Sequence, residues 1–120
     1  MNRATPKYYV FPGINNDRVI SEKIMRLSPE EIIKVIADYF EITAVNIRNK
    51  ERYRKFAYPR HISIYFMKKY GLMASTQIGR ILNRDHTTIL HSLDIVKNWI
   101  DTKDEMIDKI NDLKNIFCSK

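Results

Sequence analysis

The stretch Arg84–His91 contains the side chains with the clearest chemistry in this chain of 120 residues. Its polar part, Asp85–Thr88, comes just before apolar residues at helical spacing, from Ile89 to Ile100. Side chains at such a position lie on the first turn of a helix, where the helix dipole favours a nearby phosphate. Asp, Thr and His can all contact base edges in the major groove of DNA. The pattern predicts a helix that reads DNA with its first turn, and an ordinary capped helix start is the alternative.

Catalysis and metal binding are disfavoured for the same residues. Asp85, His86 and Thr87 have the residue types of a catalytic triad, but neighbours at a helix start diverge and cannot easily hydrogen-bond in relay. His86 and His91 are five residues apart, whereas two metal ligands on one helix face need a spacing of about three or four. We therefore expect no catalytic residue, no metal site and no enzymatic activity.

A nucleotide or cofactor site is not expected either. The glycines Gly13, Gly71 and Gly79 are isolated, and no Gly-Lys-Ser/Thr sequence occurs. Cys118 is the only cysteine, and no apolar run resembles a secretion signal or a membrane span. A content of 44% hydrophobic and 29% charged residues is typical of one globular domain, which we expect to be soluble and cytoplasmic.

Positive charge is concentrated in one stretch of the chain. The net charge is +7, and Arg48–Arg60 holds six cations against one acid, Glu51. A local excess of this kind favours a polyanionic partner. A loop arginine such as Arg52 can enter a narrow minor groove, while neighbouring cations hold phosphates. A solvated charge run is the alternative, but the adjacent candidate helix-turn-helix favours contact with phosphates.

Helix signals before residue 72 are strongest at Ser28–Glu31. This sequence has the pattern of a capping box with Pro at the first helical position, so a helix is expected to begin there. Residues 42–47 fit either a strand or a short helix, and a short helix suits an all-helical chain better. The basic loop is expected to run to Tyr58, and Pro59 to open a second long helix that Gly71 ends.

The remaining signals indicate a helix-turn-helix and one further helix. Ser75 is expected to cap a short helix, Asn83-Arg84 to form the turn, and Asn83 or Asp85 to cap the recognition helix. A last helix follows from about Thr102. The sequence thus predicts an all-α domain of five to six helices with no confident strand.

The domain is expected to span residues 28–120, preceded by an extension over residues 1–27. Asp17 can cap a short helix in this extension. The extension either docks on the domain or pairs with a protein partner or another copy of the chain.

At this point the residues resemble a known family, the C-terminal DNA-binding domain of DnaA, the bacterial chromosomal replication initiator. Arg84–His91 resembles its signature. Four further segments resemble parts of the family in the same order along the chain: Tyr39–Ile42, Arg52–Arg54, Ala57–His61 and Gln77–Gly79. The similarity covers about residues 28 to 117. It implies an all-α helix-turn-helix domain of Trp-repressor-like architecture that binds double-stranded DNA at short asymmetric boxes.

The resemblance also implies roles for individual residues. Base reading in the major groove falls to Asp85, His86 and Thr87. Thr88 is expected to contact a base or the backbone. Arg52 is expected to enter the minor groove, and His61 to make a polar contact at the edge of the site. The expected phosphate-binding residues are Lys50, Arg54, Lys55, Arg60 and Arg84.

Several positions depart from the family pattern. His61 stands where the family commonly has Gln, and Tyr58 replaces a basic residue. Leu82-Asn83 replaces a Gly pair in a shorter turn, so the recognition helix could sit differently. Asp94-Ile95 stands where the family often has Arg-Lys, which removes positive charge from that helix. The initiator's nucleotide-binding module is absent from this sequence.

Two functions from different classes stay open on the sequence alone. The first is sequence-specific binding of double-stranded DNA at initiator-type boxes, by a nucleoid-associated replication accessory, competitor or transcription regulator. The second is a protein–protein adaptor that uses residues 1–27 and has only non-specific affinity for DNA. Deleting residues 1–27 is expected to separate them, because DNA binding should survive the deletion.

Overall fold

The computed structural model describes residues 16–119, and all regular elements in that range are helices. The seven helices are α1 (Asn16–Met25), α2 (Pro29–Tyr39), α3 (Ala44–Arg48), α4 (Arg54–Lys69), α5 (Ser75–Leu82), α6 (His86–Asp101) and α7 (Met106–Ser119). The prediction of an all-α helix-turn-helix fold is confirmed. None of these described helices is both long and apolar enough to cross a membrane.

The core is built around α4, which contacts α1, α2, α3, α5 and α6. Every residue of Ile62–Met67 is buried. Fully buried apolar side chains of other helices include Ile32, Ile33, Ile36, Ile47, Ile89, Val96, Leu113 and Phe117. Burial of each such side chain contributes about 1.5–3 kcal/mol, so this cluster positions α6 and the loop before α4. Leu90 and Ile100, which belong to the apolar stripe of α6, are 46% and 39% exposed, so the stripe is only partly buried.

Reciprocal capping hydrogen bonds form the starts of α2 and α3, the two helices that precede the basic loop. The Ser28 hydroxyl accepts from the Glu31 amide at 3.2 Å, and the Glu31 carboxylate accepts from the Ser28 amide at 3.0 Å, as the sequence predicted. The same arrangement joins Thr43 and Asn46 at 3.2 and 3.0 Å. These bonds satisfy amides that a helix start leaves without intrahelical partners. Residues 44–48 are therefore helical, and the strand alternative is wrong.

The second long helix begins earlier than predicted. It starts at Arg54, and Pro59 lies inside it. The Tyr53 carbonyl accepts from the amides of Phe56 and Ala57, which forms the first turn without Pro59. Pro59 has no amide hydrogen, so the Lys55 carbonyl lacks its helical hydrogen bond. Lys55 is exposed to water. The basic loop therefore ends at Tyr53, and Arg54 and Lys55 belong to the first turn of α4.

The turn between α5 and α6 depends on a glycine and an asparagine. A Cβ added to Gly79 would lie 2.5 Å from the Arg84 carbonyl oxygen, so only glycine allows this approach. The Arg84 amide donates to the Gly79 carbonyl at 2.7 Å. Asn83 adopts the left-handed conformation with φ 54°, which asparagine tolerates better than other non-glycine residues. Ala74, not Ser75, is the residue that precedes α5.

Helix α1 packs on the domain. It contacts α7 and α4, and its residues Ile20 and Ile24 are 1% and 0% exposed. The Tyr70 hydroxyl donates to the Asp17 carboxylate at 3.0 Å. Of the two expectations for residues 1–27, docking therefore holds for the part from residue 16 onward. Residues 1–15 lie outside the described residues.

Candidate nucleic-acid interface

The first turn of α6 presents the four polar side chains predicted to read DNA. Asp85 is the residue before the helix, and His86 is its first residue. Asp85, His86, Thr87 and Thr88 are all exposed. Ile89 directly after them is fully buried, which holds the helix against the core. The chain therefore presents these groups on a rigid helix and not on a loop.

The contacts within this turn are centred on Asp85. Its carboxylate accepts from the Thr87 hydroxyl at 2.9 Å, and its other oxygen lies 3.6 Å from His86 Nδ1. A catalytic triad instead places histidine between the acid and the hydroxyl. The arrangement fixes the directions of three polar side chains and leaves the His86 ring 53% exposed for an external partner. The described residues contain no group of three or more His, Cys, Asp or Glu that could hold a metal ion.

Four of the predicted DNA-contacting cations are exposed next to this turn. Lys50 and Arg52 lie in the loop between α3 and α4, and Arg54 and Lys55 lie on the first turn of α4. None of them pairs with a carboxylate in the part of the chain that the structure describes. Tyr53, between the loop and the helix, is 69% exposed. These side chains are free to meet phosphates.

Arg60, expected to bind a phosphate, lies inside the protein. It is 5% exposed, and its guanidinium donates to the carbonyls of Ile47 at 2.6 Å, Glu51 at 3.0 Å and Asn46 at 3.3 Å. It also donates to the Asn49 side chain at 3.3 Å. Burial, with the positive charge of Arg84, lowers the pKa of Arg60 to about 10. The buried guanidinium thus gives the basic loop its shape.

The sequence contained a signal for this burial. Arg60 precedes Ser63, Ile64 and Met67 by three, four and seven residues, and all three are buried. Residues at these spacings share one face of a helix. The phosphate role expected for Arg60 follows from the basic stretch and the family resemblance, whereas its helical spacing to these residues indicates burial.

Arg84 joins the helix-turn-helix to the basic loop. Its guanidinium donates a hydrogen bond to the Asn49 carbonyl, 35 residues earlier in the chain. The side chain is half-buried, and its Nε is a buried donor without a partner in the described residues. Burial lowers the pKa of Arg84. One nitrogen of this expected phosphate ligand is therefore committed to holding the loop beside α6.

His61 lies between the basic loop and α6. Its Nδ1 is 2.9 Å from the Ser92 hydroxyl, and its ring centre is 6.1 Å from that of Trp99. Burial lowers the pKa of His61 to about 4, with smaller contributions from the charges of Arg60, His91 and Arg84. The imidazole is therefore neutral at pH 7. Ser92, which orients it, carried no signal in the sequence, because a serine at that spacing also fits a solvent-exposed turn.

A groove separates the basic loop from α6. Lys50 and Arg52 line its loop side, His61 its floor, and Thr88 and His91 its α6 side. Arg60 and Arg84 also line it, and Glu51 contributes a single acid. The structure thus brings together residues from the two predicted DNA-contacting segments, although Lys50 and Arg52 lie more than 30 residues before Thr88 and His91 in sequence.

Arg48, the first cation of the basic stretch, has a structural role. Its guanidinium donates to the Glu30 carboxylate at 3.1 Å and to the Ile81 carbonyl at 3.0 Å. These bonds join the start of α2 and the end of α5 to the end of α3. Arg48 therefore fixes the helix-turn-helix relative to the segment that leads into the basic loop.

Comparison with known proteins agrees with this geometry. The family model described as the bacterial DnaA protein helix-turn-helix matches residues 29–96, which include the basic loop and the first turn of α6. The chromosomal replication initiator protein DnaA of Wolbachia pipientis wMel is 39% identical over 89 residues, 73% of this chain and 19% of that protein. The corresponding protein of Treponema denticola is 32% identical over 116 residues, 96% of this chain and 24% of that protein.

The chain spans about a fifth to a quarter of the length of these curated relatives. The family match nevertheless covers more than half of the chain and all the residues that line the groove. The resemblance inferred from Arg84–His91 is confirmed: this chain belongs to the family of bacterial DnaA helix-turn-helix domains.

Proposed function

We propose that this chain binds double-stranded DNA in a sequence-specific manner at initiator-type boxes. The first turn of α6 enters the major groove, and Arg52 enters the adjacent minor groove. Membership of the family supports DNA binding as such. The specificity, the choice of box and the roles of single residues are the proposal.

The hydrogen bond from Arg84 to the Asn49 carbonyl carries the proposal. It places the exposed tip of α6 and the exposed basic loop on either side of one groove. In duplex DNA the major and minor grooves are separated by one sugar–phosphate strand. A helix tip and a loop on opposite sides of a groove can therefore enter the two DNA grooves together, with that strand between them.

Base reading falls to the residues that the turn of α6 exposes. Asp85 can accept from a cytosine amino group, Thr87 can contact a thymine methyl, and His86 can bond a base edge. Thr88 lines the groove, which suits contact with the backbone or an adjacent base. Each well-made base contact is worth about 1–3 kcal/mol of discrimination against the wrong base.

Phosphate binding falls to the exposed cations Lys50, Arg54 and Lys55. We assign Arg60 and Arg84 to positioning the loop, because their donors bond protein carbonyls. With roughly three phosphates neutralised by these cations, log affinity should fall against log salt with a slope of about −3. Neutral His61 contributes a hydrogen bond at the edge of the site and no charge.

Selection of bound duplexes from a random library tests binding and yields the site. The selected duplex is then compared with a shuffled duplex by fluorescence anisotropy at several salt concentrations. His86→Ala should weaken binding to the selected duplex by about 1–3 kcal/mol and reduce its preference over the shuffled one. Arg54→Gln should weaken both duplexes similarly and reduce the salt slope by about one.

Lys97→Ala provides the matched control, because Lys97 is exposed on α6 well beyond its first turn. It should leave the preference for the selected duplex unchanged. Equal affinity for selected and shuffled duplexes, unaffected by His86→Ala, contradicts specific reading by α6.

In the cell, such binding fits a replication accessory, a competitor for initiator sites or a transcription regulator, located with the nucleoid in the cytoplasm. No enzymatic activity is part of this role. Immunoprecipitation of cross-linked DNA should recover the selected sequence, and recovery without sequence preference would exclude all three roles.

A further inference from the structure

A second candidate site lies at the end of the molecule opposite the proposed DNA surface. It is a surface cavity of about 130 Å³ between the last turn of α4, the end of α6 and one face of α7. Ile100, at its rim, follows His86 by fourteen residues in the same helix, which is roughly 20 Å along the axis. The cavity is therefore separate from the groove between α6 and the basic loop.

One side of the cavity is apolar. Its lining includes the side chains of Ile100, Ile107 and Ile110 and the ring of Tyr65. An apolar cavity of about 150 Å³ holds a benzene ring, so this space suits a body of about six carbons.

The other side is polar and positively charged. Asn111 is 8% exposed and lines the cavity, and its side chain makes no hydrogen bond to another described residue. Ile107, Asn111 and Lys114 follow at intervals of four and three residues, so they share one face of α7. Lys69 and Lys114 both line the cavity, and Lys114 has no carboxylate within salt-bridge distance in the described range.

The surroundings hold the two ammonium groups in place. Lys69 Nζ lies 5.7 Å from the ring centre of Tyr65 and 5.4 Å from that of Tyr70, and Lys114 Nζ lies 5.9 Å from the latter. Lys69 is 3.8 Å from the Asp17 carboxylate, which partly compensates its charge. Burial lowers the pKa of Lys114. An amide at the cavity wall that bonds no described residue and a half-buried ammonium without a paired carboxylate in the described range can both donate to an anionic ligand.

We propose that this cavity binds a small monocarboxylate with an aromatic or branched apolar body. The carboxylate accepts from the Lys114 ammonium and from the Asn111 amide. The body lies against Ile100, Ile107 and Tyr65. The ligand would join α4, α6 and α7 at the end of α6 that does not face DNA.

The test uses the full chain and benzoate as the probe, followed by the methyl NMR signals of its isoleucines. Benzoate should shift the signals of Ile107 and Ile110 saturably. Benzylamine, with the same ring and the opposite charge, and acetate, with no body, should not. The proposal is overturned if benzoate causes no saturable shift or if benzylamine binds equally well. Both results are obtained with the wild-type chain and need no variant.

Two variants then locate the carboxylate. Lys114→Gln should weaken benzoate binding by about tenfold or more, the loss expected for one charge-assisted hydrogen bond. Lys109→Gln changes an exposed lysine on the same helix and should leave binding unchanged. Equal benzoate affinity in Lys114→Gln and wild type contradicts the assignment. A melting curve of each variant confirms that it is folded. If Lys114→Gln does not fold, Lys114→Met is used in its place.

Discussion

The Arg84 guanidinium donates a hydrogen bond to the backbone carbonyl of Asn49. Arg84 belongs to the turn before α6, and Asn49 begins the basic loop. A bond between these two points couples the positions of the two segments proposed to contact DNA. The geometry of the surface therefore depends on Arg84, an arginine whose charge suggested a phosphate contact but whose guanidinium bonds a protein carbonyl.

Replacement of Arg84 should loosen the basic loop. In Arg84→Gln the amide side chain is too short to reach the Asn49 carbonyl, so the amides of residues 49–53 should exchange hydrogen faster than in wild type. Affinity for the selected duplex should fall by about 1–3 kcal/mol, the cost of a lost hydrogen bond to a charged donor. Arg80→Gln removes an exposed arginine of α5 and serves as the control. Unchanged loop exchange in Arg84→Gln would show that the bond does not hold the loop.

Replacement of Arg60 should lower stability. Arg60→Ala leaves the carbonyls of Ile47, Glu51 and Asn46 without their donor, so we expect the free energy of unfolding to fall by about 3 kcal/mol. Arg60→Lys should lose nearly as much, because one ammonium cannot reproduce the planar set of donors. Urea denaturation measures both. Arg54→Ala, on the exposed first turn of the same helix, should cost less than about 0.5 kcal/mol. Wild-type stability in Arg60→Ala would show that the hydrogen bonds of Arg60 do not stabilise the fold.

Gly79→Ala should destabilise the domain, although alanine normally favours a helix over glycine. Its Cβ would lie 2.5 Å from the Arg84 carbonyl oxygen, a backbone atom of the turn. We expect a loss of about 1–3 kcal/mol, the usual cost of overpacking, and weaker binding of DNA because the turn must move. Thr76→Ala, on the exposed side of α5, should be close to neutral. A higher melting temperature for Gly79→Ala would contradict the close approach.

The pKa of His61 predicts how stability depends on pH. This pKa is about 4 in the folded chain, against an ordinary value of 6.5. The unfolded chain therefore binds a proton before the folded chain does as the pH falls through this window. The resulting stability is present above about pH 6.5 and is lost progressively down to about pH 4. Because the ring is partly exposed, we expect a loss of about 1–2 kcal/mol between pH 7 and pH 5.

Chemical denaturation at pH 7 and pH 5 measures this loss in three chains. His61→Gln should remove the contribution, so its stability should change less than that of wild type. Asn98→Ala, at an exposed residue of α6 that carries no titratable group, should show the pH dependence of wild type. The same pH dependence in His61→Gln and wild type would exclude His61 as its source.

Helix α1 should contribute to the stability of the domain. Ile24→Ala creates a cavity at a side chain that is 0% exposed, and we expect a loss of about 2–5 kcal/mol. Met25→Ala is the neighbouring control, because Met25 is 56% exposed. Because α1 carries the buried residues Ile20 and Ile24, deleting residues 1–27 should impair DNA binding through unfolding, contrary to the expectation from sequence. Deleting residues 1–15 should preserve it. A wild-type melting temperature in Ile24→Ala would show that α1 is dispensable.

The sequence by itself determined the start of α2 and the exposed polar turn of α6, because local chemistry decides both. The capping box at Ser28 and the exposed polar turn at Asp85–Thr88 depend on neighbouring residues, and both are as predicted. The effect of Leu82-Asn83 in place of a Gly pair could not be predicted locally. In the structure Asn83 adopts the left-handed conformation that this turn requires.

Only the tertiary structure decided which cations face solvent. Arg52, Arg60 and Arg84 look alike in a basic sequence, since each offers the same charge and donors. Their difference lies in the carbonyls that the fold brings near them: three surround Arg60, one meets Arg84, and Arg52 remains exposed. A guanidinium satisfied by buried carbonyls supports the surface, and one left in water is available to DNA. Contacts between residues distant in the chain make that distinction, and local sequence does not contain them.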